Sequence, residues 1–132
     1  MIVIDTSVVI AVLGREPEGA EIARALAARS QAQISAVNFV EAATVAQRWG
    51  DTAATTTLDE FYANFRVNVA PVDLQQARMA RQAYLKYGKG RDHPAQLNIC
   101  DCFAYALAKT LDAPLLFKGD DFPHTDVKRA IP

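Results

Sequence analysis

Disulfides, membrane spans and a dominant charge are all missing from this chain, and each absence narrows the reading. Cys100 and Cys102 are the only cysteines in 132 residues. They lie two apart in a segment that reads as helix, where side chains at that spacing diverge, so no bridge between them is expected. No window approaches the roughly 18 apolar residues of a membrane span. No basic stretch precedes an apolar run at the N-terminus, so a soluble, cytoplasmic protein with no membrane partner is expected. The 14 Lys and Arg nearly balance 15 Asp and Glu, for a net charge of −1. Composition therefore says nothing for or against a nucleic-acid partner. Linkers, repeats and low-complexity segments are also lacking. About half of the residues are apolar (51%), enough for one domain over residues 1–132 to bury a core without staples.

What is present is an alternation of short β-branched runs with helical patterns. Ile2 to Ile4 reads as a central strand buried on both faces. A short helix follows over 6–14. The next opens at Glu16-Pro17-Glu18, with Ile22, Ala23, Leu26 and Ala27 as its apolar face. Gln33 to Ala36 is a second strand. Asn38 to Trp49 reads as a helix on which Phe39, Ala43 and Ala46 recur at helical spacing, ended by Gly50. Asp51 is a cap for a helix to about Phe65, Val67 to Ala70 a third strand, and Asp73 the cap of a long helix toward Tyr87. Gly88 to Leu97 reads as an exposed, basic, mobile loop. Asn98 to Leu111 is the next helix, Pro114 to Phe117 a fourth strand, and Val127 to Ile131 a short fifth at an edge. This rhythm predicts an α/β sandwich with a parallel sheet of four to five strands. Trp49, Phe61, Phe65, Tyr84 and Tyr105 are expected to face its core.

In such a sheet, ligands gather beyond the carboxyl ends of the strands, where the following helices begin. Asp5 ends the first strand. Glu41 is placed in the first turn after the second, Asp101 in the first turn of its helix, and Asp120 and Asp121 after the fourth strand. All five are expected at one rim. Each has an ordinary explanation alone: Asp5 as a helix cap, and Asn38-x-x-Glu41 and Asn98-x-x-Asp101 as capping boxes. Together they repel one another, and a hard divalent cation relieves that repulsion most simply. Oxygen ligands favour Mg²⁺ or Mn²⁺, and Mg²⁺ characteristically recruits phosphate oxygens. Lys86, Lys89, Arg91 and Lys118 could steer an anionic strand toward such a rim. Cys100, Cys102, His93 and His124 make the count for a zinc site, but Cys-x-Cys on a helix does not match zinc-ligand spacing. A receiver-like regulatory domain would need an acid ending a middle strand, and neither Gln33–Ala36 nor Val67–Ala70 supplies one.

Val3-Ile4-Asp5-Thr6-Ser7, Glu41-Ala42-Ala43, Leu97 through Ala108 around Cys100-Asp101-Cys102, and Leu115 through Phe122 with Gly119-Asp120-Asp121 together resemble a PIN domain. The likeness is closest to the VapC toxins of bacterial toxin–antitoxin pairs, and it spans nearly the whole length. The resemblance implies a PIN-like three-layer α/β/α fold and a Mg²⁺-dependent endoribonuclease for which Mn²⁺ can substitute. It implies RNA as substrate, often structured RNA such as tRNA, a homodimer, and neutralisation by a VapB-type antitoxin. By the same carry-over Asp5 and Asp101 are metal ligands and Glu41 is the third acid. The fourth is Asp121, which precedes Phe122, with Asp120 and Asp126 as alternatives and Ser7 adding a hydroxyl. Lys89, Arg91 and Lys118 are the candidate phosphate contacts. A nuclease of the same fold acting on DNA stays open, because acids and metal do not distinguish the two substrates.

Overall fold

Ile2–Ile4 form β1, and none of the three meets solvent. The computed structural model describes residues 1–131; Pro132, the last residue of the expected domain, lies outside the described residues. Beside β1 run β2 (Ala32–Ser35), β3 (Val67–Ala70) and β4 (Leu115–Leu116), in the order β3-β2-β1-β4. All pairings are parallel, with Ile2 opposite Ala32, Val3 opposite Leu115 and Ala32 opposite Val67.

The period-two alternation of a strand divides the core into two layers. Ile2, Ile4, Ile34 and Leu116 pack with α1 (Thr6–Leu13), α2 (Gly19–Ala27), α3 (Ala36–Ala46) and α4 (Leu58–Asn64). Val3 and Leu115 turn the other way, onto α5 (Leu74–Tyr87) and α6 (Ile99–Leu111). The result is the expected α/β/α sandwich. Each fully buried Ile, Leu or Val contributes about 1.5–3 kcal/mol by leaving water. Helix α2 crosses close to α1 because residue 19 is glycine: a Cβ there would stand 2.5 Å from Ala11 O.

Several local expectations give way to tertiary context. Helix α3 starts two residues early, at Ala36, capped by Ser35, whose Oγ accepts the Val37 N–H at 3.3 Å. Asn38 is therefore not a cap but a helix-interior residue, fully buried, and Glu41 sits in the second turn rather than the first. After Ala46 the chain tightens into a 3₁₀ turn over Gln47–Trp49, which leaves Trp49 45% exposed instead of in the core. Gly50, at φ +105°, makes the break after it, and Asp51 lies inside the following helix, beyond the cap position. That helix is widened to π geometry over Ala53–Thr57 before α4. Ala27 on α2 faces solvent while Ala25 packs on the core.

The fifth strand shrinks to a single bridge between Leu115 and Arg129, made by Leu115 N–H to Lys128 O (2.8 Å) and Ala130 N–H to Leu115 O (3.0 Å). With β4 only two residues long, there is one residue for the tail to pair with. The 88–97 loop is pinned rather than loose. Lys89 N–H donates to Leu97 O at 2.7 Å, Leu97 N–H donates to Tyr87 O at 2.8 Å, and Ala95 and Leu97 are fully buried. Inside the loop the Gln96 amide donates to the carbonyls of Arg91 and His93. Among the described residues no helix is long and apolar enough to cross a membrane.

Candidate active site

Asp5 ends β1 with extended backbone (φ −86°, ψ 160°) and caps α1, its Oδ2 accepting the Ser7 N–H at 3.1 Å. The cap uses one oxygen. The other, Oδ1, is buried with no hydrogen-bond partner on a residue only 4% exposed. An orphaned carboxylate oxygen in a native interior is costly and points to a ligand.

Asp101 arrives from the opposite layer by similar means. Asn98 caps α6: its Oδ1 accepts the Asp101 N–H at 2.9 Å, while Asp101 Oδ2 accepts the Asn98 N–H at 3.0 Å. This reciprocal box holds the Asp101 carboxylate at the helix N-terminus. Glu41 reaches the same place from the second turn of α3. The fourth contribution comes after β4, where Gly119 takes φ +117°, a left-handed conformation that L side chains rarely adopt. Lys118 N–H donates to Ser7 Oγ at 3.0 Å, tying this exit to α1. Phe122, buried against Phe117 with ring centroids 5.2 Å apart, anchors the segment just past Asp121.

Electrostatics shows which acids feel one another. Burial above all lifts the Asp5 carboxyl over its ordinary range, and the Glu41 charge adds to it, although the Ser7 hydroxyl and N–H pull the other way. Asp101 is pushed up to about 7, first by burial, then by the charge of Asp5, with smaller contributions from Glu41 and Asp121. Cys100 is raised to about 12 by burial, followed by Glu41. Asp5, Glu41, Asp101 and Asp121 thus share one electrostatic neighbourhood, built from both layers and three sheet-following segments.

Among the described residues no three His, Cys, Asp or Glu side chains close into a ready-made cage. The donor set nevertheless suits a hard cation that keeps much of its water and takes one or two carboxylates directly. The unpartnered Asp5 Oδ1 and the raised proton affinity of Asp101 both signal negative charge without a counterion.

The family model for the PIN domain matches residues 2–128. This chain belongs to the PIN-domain family. Within the family it belongs with the VapC ribonucleases. It is 39% identical over 128 residues to ribonuclease VapC42 of Mycobacterium tuberculosis, covering 97% of this chain and 98% of the relative. It is 43% identical over 129 residues to ribonuclease VapC28 of the same organism, covering 98% and 97%. Among solved structures, the fold is similar to that of M. tuberculosis VapC20, a sarcin-ricin loop cleaving toxin, with TM-score 0.77, 15% identity and 96% of both chains covered. It is also similar to VapBC2 from Rickettsia felis bound to a promoter DNA fragment, with TM-score 0.71, 16% identity, and 98% and 96% covered.

The PIN-domain scaffold does not bring every candidate side chain to the acids. Asp120 is exposed and lines a separate cleft of about 440 Å³ with Glu18, Glu21 and Arg129. Asp126 accepts from Tyr105 Oη and from Lys109 Nζ (3.0 Å), further along α6. The Tyr105 hydroxyl above all holds its carboxyl below the usual range. Lys118 Nζ is matched by Glu16 at 2.6 Å and Glu18 at 3.3 Å, so its charge is already neutralised within the fold. Lys89 and Arg91 are exposed on the pinned loop, with Arg91 Nε donating to Leu85 O at 3.0 Å. Lys86 lies over the Tyr87 ring, 5.0 Å from its centroid. The pairings of Lys118 and Asp126 join residues 17 to 102 positions apart, which no local motif announces.

Proposed function

We propose that this PIN domain is a divalent-cation-dependent endoribonuclease, the toxin of a VapBC-type pair. The observation that carries the reading is the buried, unpartnered Asp5 Oδ1 within a four-acid neighbourhood. Asp5 and Asp101 are the side chains that would hold Mg²⁺ or Mn²⁺, with Glu41 and Asp121 beside them. A bound ion of this kind lowers the pKa of its water and offsets charge on a phosphate. Glu41, half-buried on α3, and Asp121, exposed after Gly119, would accept a proton from an attacking water or orient it. Asp121 rather than Asp120 fills the fourth role, because its charge reaches Asp101. Ser7 serves as a strut, holding the Asp5 cap through its N–H and the Lys118 backbone through its hydroxyl.

The relatives' names support RNA as the substrate. Lys89 and Arg91 are the basic side chains assigned to its phosphates. A VapB-type antitoxin is the partner, supported by the VapC relatives and by a fold shared with a VapBC complex. A second copy of the chain is the other partner. Val40 is 60% exposed at a shallow apolar cleft with Val37 and Cys100, and Ile99, 56% exposed, borders a second cleft with Leu85 and Phe103.

The test is cleavage of matched tRNA, single-stranded RNA and DNA by the purified chain. RNA cleavage that chelator abolishes, Mg²⁺ or Mn²⁺ restores, and Asp5→Asn loses by about a hundredfold or more is expected. Full activity in a folded Asp5→Asn, Asp101→Asn double variant, or cleavage of DNA alone, contradicts the reading.

A further inference from the structure

Asn38 is a polar residue near the acids with no exposure at all. It lies one turn before Glu41 on α3, the i, i+3 spacing that puts two side chains on one helix face. One hydrogen of its amide goes to Thr6 Oγ1 at 3.3 Å and the other to Cys100 O at 3.2 Å. Thr6 returns a bond from its hydroxyl to Asn38 O at 3.3 Å. Thr6 follows Asp5 in the chain, and Cys100 precedes Asp101. The Asn38 amide therefore ties α3, one turn before Glu41, to α1 and α6 at the residues adjoining Asp5 and Asp101.

We propose that Asn38 is a positioning residue of the active site, its amide locking the first turns of α1 and α6 to α3 so that Asp5, Glu41 and Asp101 keep one mutual geometry. The inference rests on the metal-binding role of those acids given above.

The amide is an expensive way to fill this space. Its Oδ1 is buried without a partner, and an acceptor left so loses its water with nothing in return. A leucine, with the same number and branching of side-chain heavy atoms but bulkier methyl ends, would avoid that cost. It would leave the Thr6 hydroxyl its bond to the residue 38 carbonyl, which is backbone. Packing alone therefore does not call for asparagine, whereas three mutually repelling carboxylates on separate elements do need a brace. Groups that hold ligands in place from behind typically govern metal affinity by about ten- to a hundredfold.

Gln76 supplies a matched control. It too is a buried amide with an unpartnered oxygen, and its nitrogen donates to Pro71 O at 3.2 Å on α5, apart from the acids. The experiment measures Mn²⁺ binding to the full chain by electron paramagnetic resonance, and amide hydrogen exchange in chelator. Asn38→Leu is expected to weaken Mn²⁺ about ten- to a hundredfold and to speed exchange at Val8 and Cys102, whose N–H groups close the first turns of α1 and α6. Gln76→Leu should do neither. Thr6→Val, which removes one acceptor, should move both readouts the same way and serves if Asn38→Leu does not fold. Wild-type Mn²⁺ affinity in a folded Asn38→Leu overturns the inference. If the wild-type chain binds no Mn²⁺, the metal reading itself fails, and unchanged exchange at Val8 and Cys102 then overturns the positioning role separately.

Discussion

Asn98 and Asp101 exchange hydrogen bonds, each backbone N–H donating to the other's side chain at 2.9 and 3.0 Å. The same carboxylate that closes the cap also feels the charges of Asp5, Glu41 and Asp121. Replacing Asn98 with Ala removes the cap acceptor and should cost about 1 kcal/mol, read as a shifted midpoint in urea unfolding. Activity should fall beyond what this loss explains, because Asp101 loses its orientation. A variant with normal turnover and a lowered midpoint would mean that the cap is structural only.

Metal-free protein should lose stability as pH rises. Asp101 moves from an ordinary value of 3.8 to about 7 in the fold, by burial first and the charge of Asp5 next, and Asp5 is raised as well. A folded state that binds its proton more tightly than the unfolded chain is favoured fully below the unfolded value. That advantage is lost as pH climbs through the folded one. In chelator, the melting temperature should fall between about pH 4 and about pH 7. Asp101→Asn should match wild type at the acid end and exceed it at the upper end. Saturating Mg²⁺ should recover wild type, by about 2.7 kcal/mol at a hundredfold excess over Kd, and leave the variant unchanged. A flat profile for wild type would refute this.

The adjacent pair after Gly119 should separate cleanly. Asp121→Asn is expected to reduce cleavage by about tenfold or more, and Asp120→Asn to leave it near wild type, since Asp120 faces the cleft with Glu18 and Arg129. Equal losses in single-turnover rates would count against this division.

Val40→Asp combined with Ile99→Asp places charge on both exposed apolar residues. A dimer seated there should become monomeric by light scattering, with circular dichroism unchanged. A dimer that persists would put the self-contact elsewhere.

Local rules read much of this fold correctly. Val67–Ala70, the Asp73 cap with its bond to Gln76 N–H at 2.8 Å, and the Asn98–Asp101 box emerge where short-range patterning puts them. Asn38 was misplaced because an Asn followed three residues later by Glu fits the same box, while Ser35 was available as an earlier cap. Its actual partners, Thr6 and Cys100, are 32 and 62 residues away. Trp49 and the fifth strand failed for related reasons: a 3₁₀ turn rotates the first outward, and a two-residue β4 gives the second too little to pair with. Asp5, Asp101 and Asp121 sit at a strand end, a helix start and a strand exit, which chain order predicts, while Glu41 lies one turn further along α3 than expected. What Lys118 and Asp126 bind was not legible, since nothing in chain order brings Glu16 or Tyr105 to them.

The clasp between Tyr87, Lys89 and Leu97 has a consequence for how such a chain can diversify. Both strands of the clasp are closed by backbone bonds, and Leu97 is anchored in the core one residue before the Asn98 cap. Residues 89–92 outside it are exposed, so their chemistry can be exchanged without disturbing the helix that carries Asp101. The tip is thus an interchangeable cassette, whose side chains can be swapped while the helix behind it stays as it is.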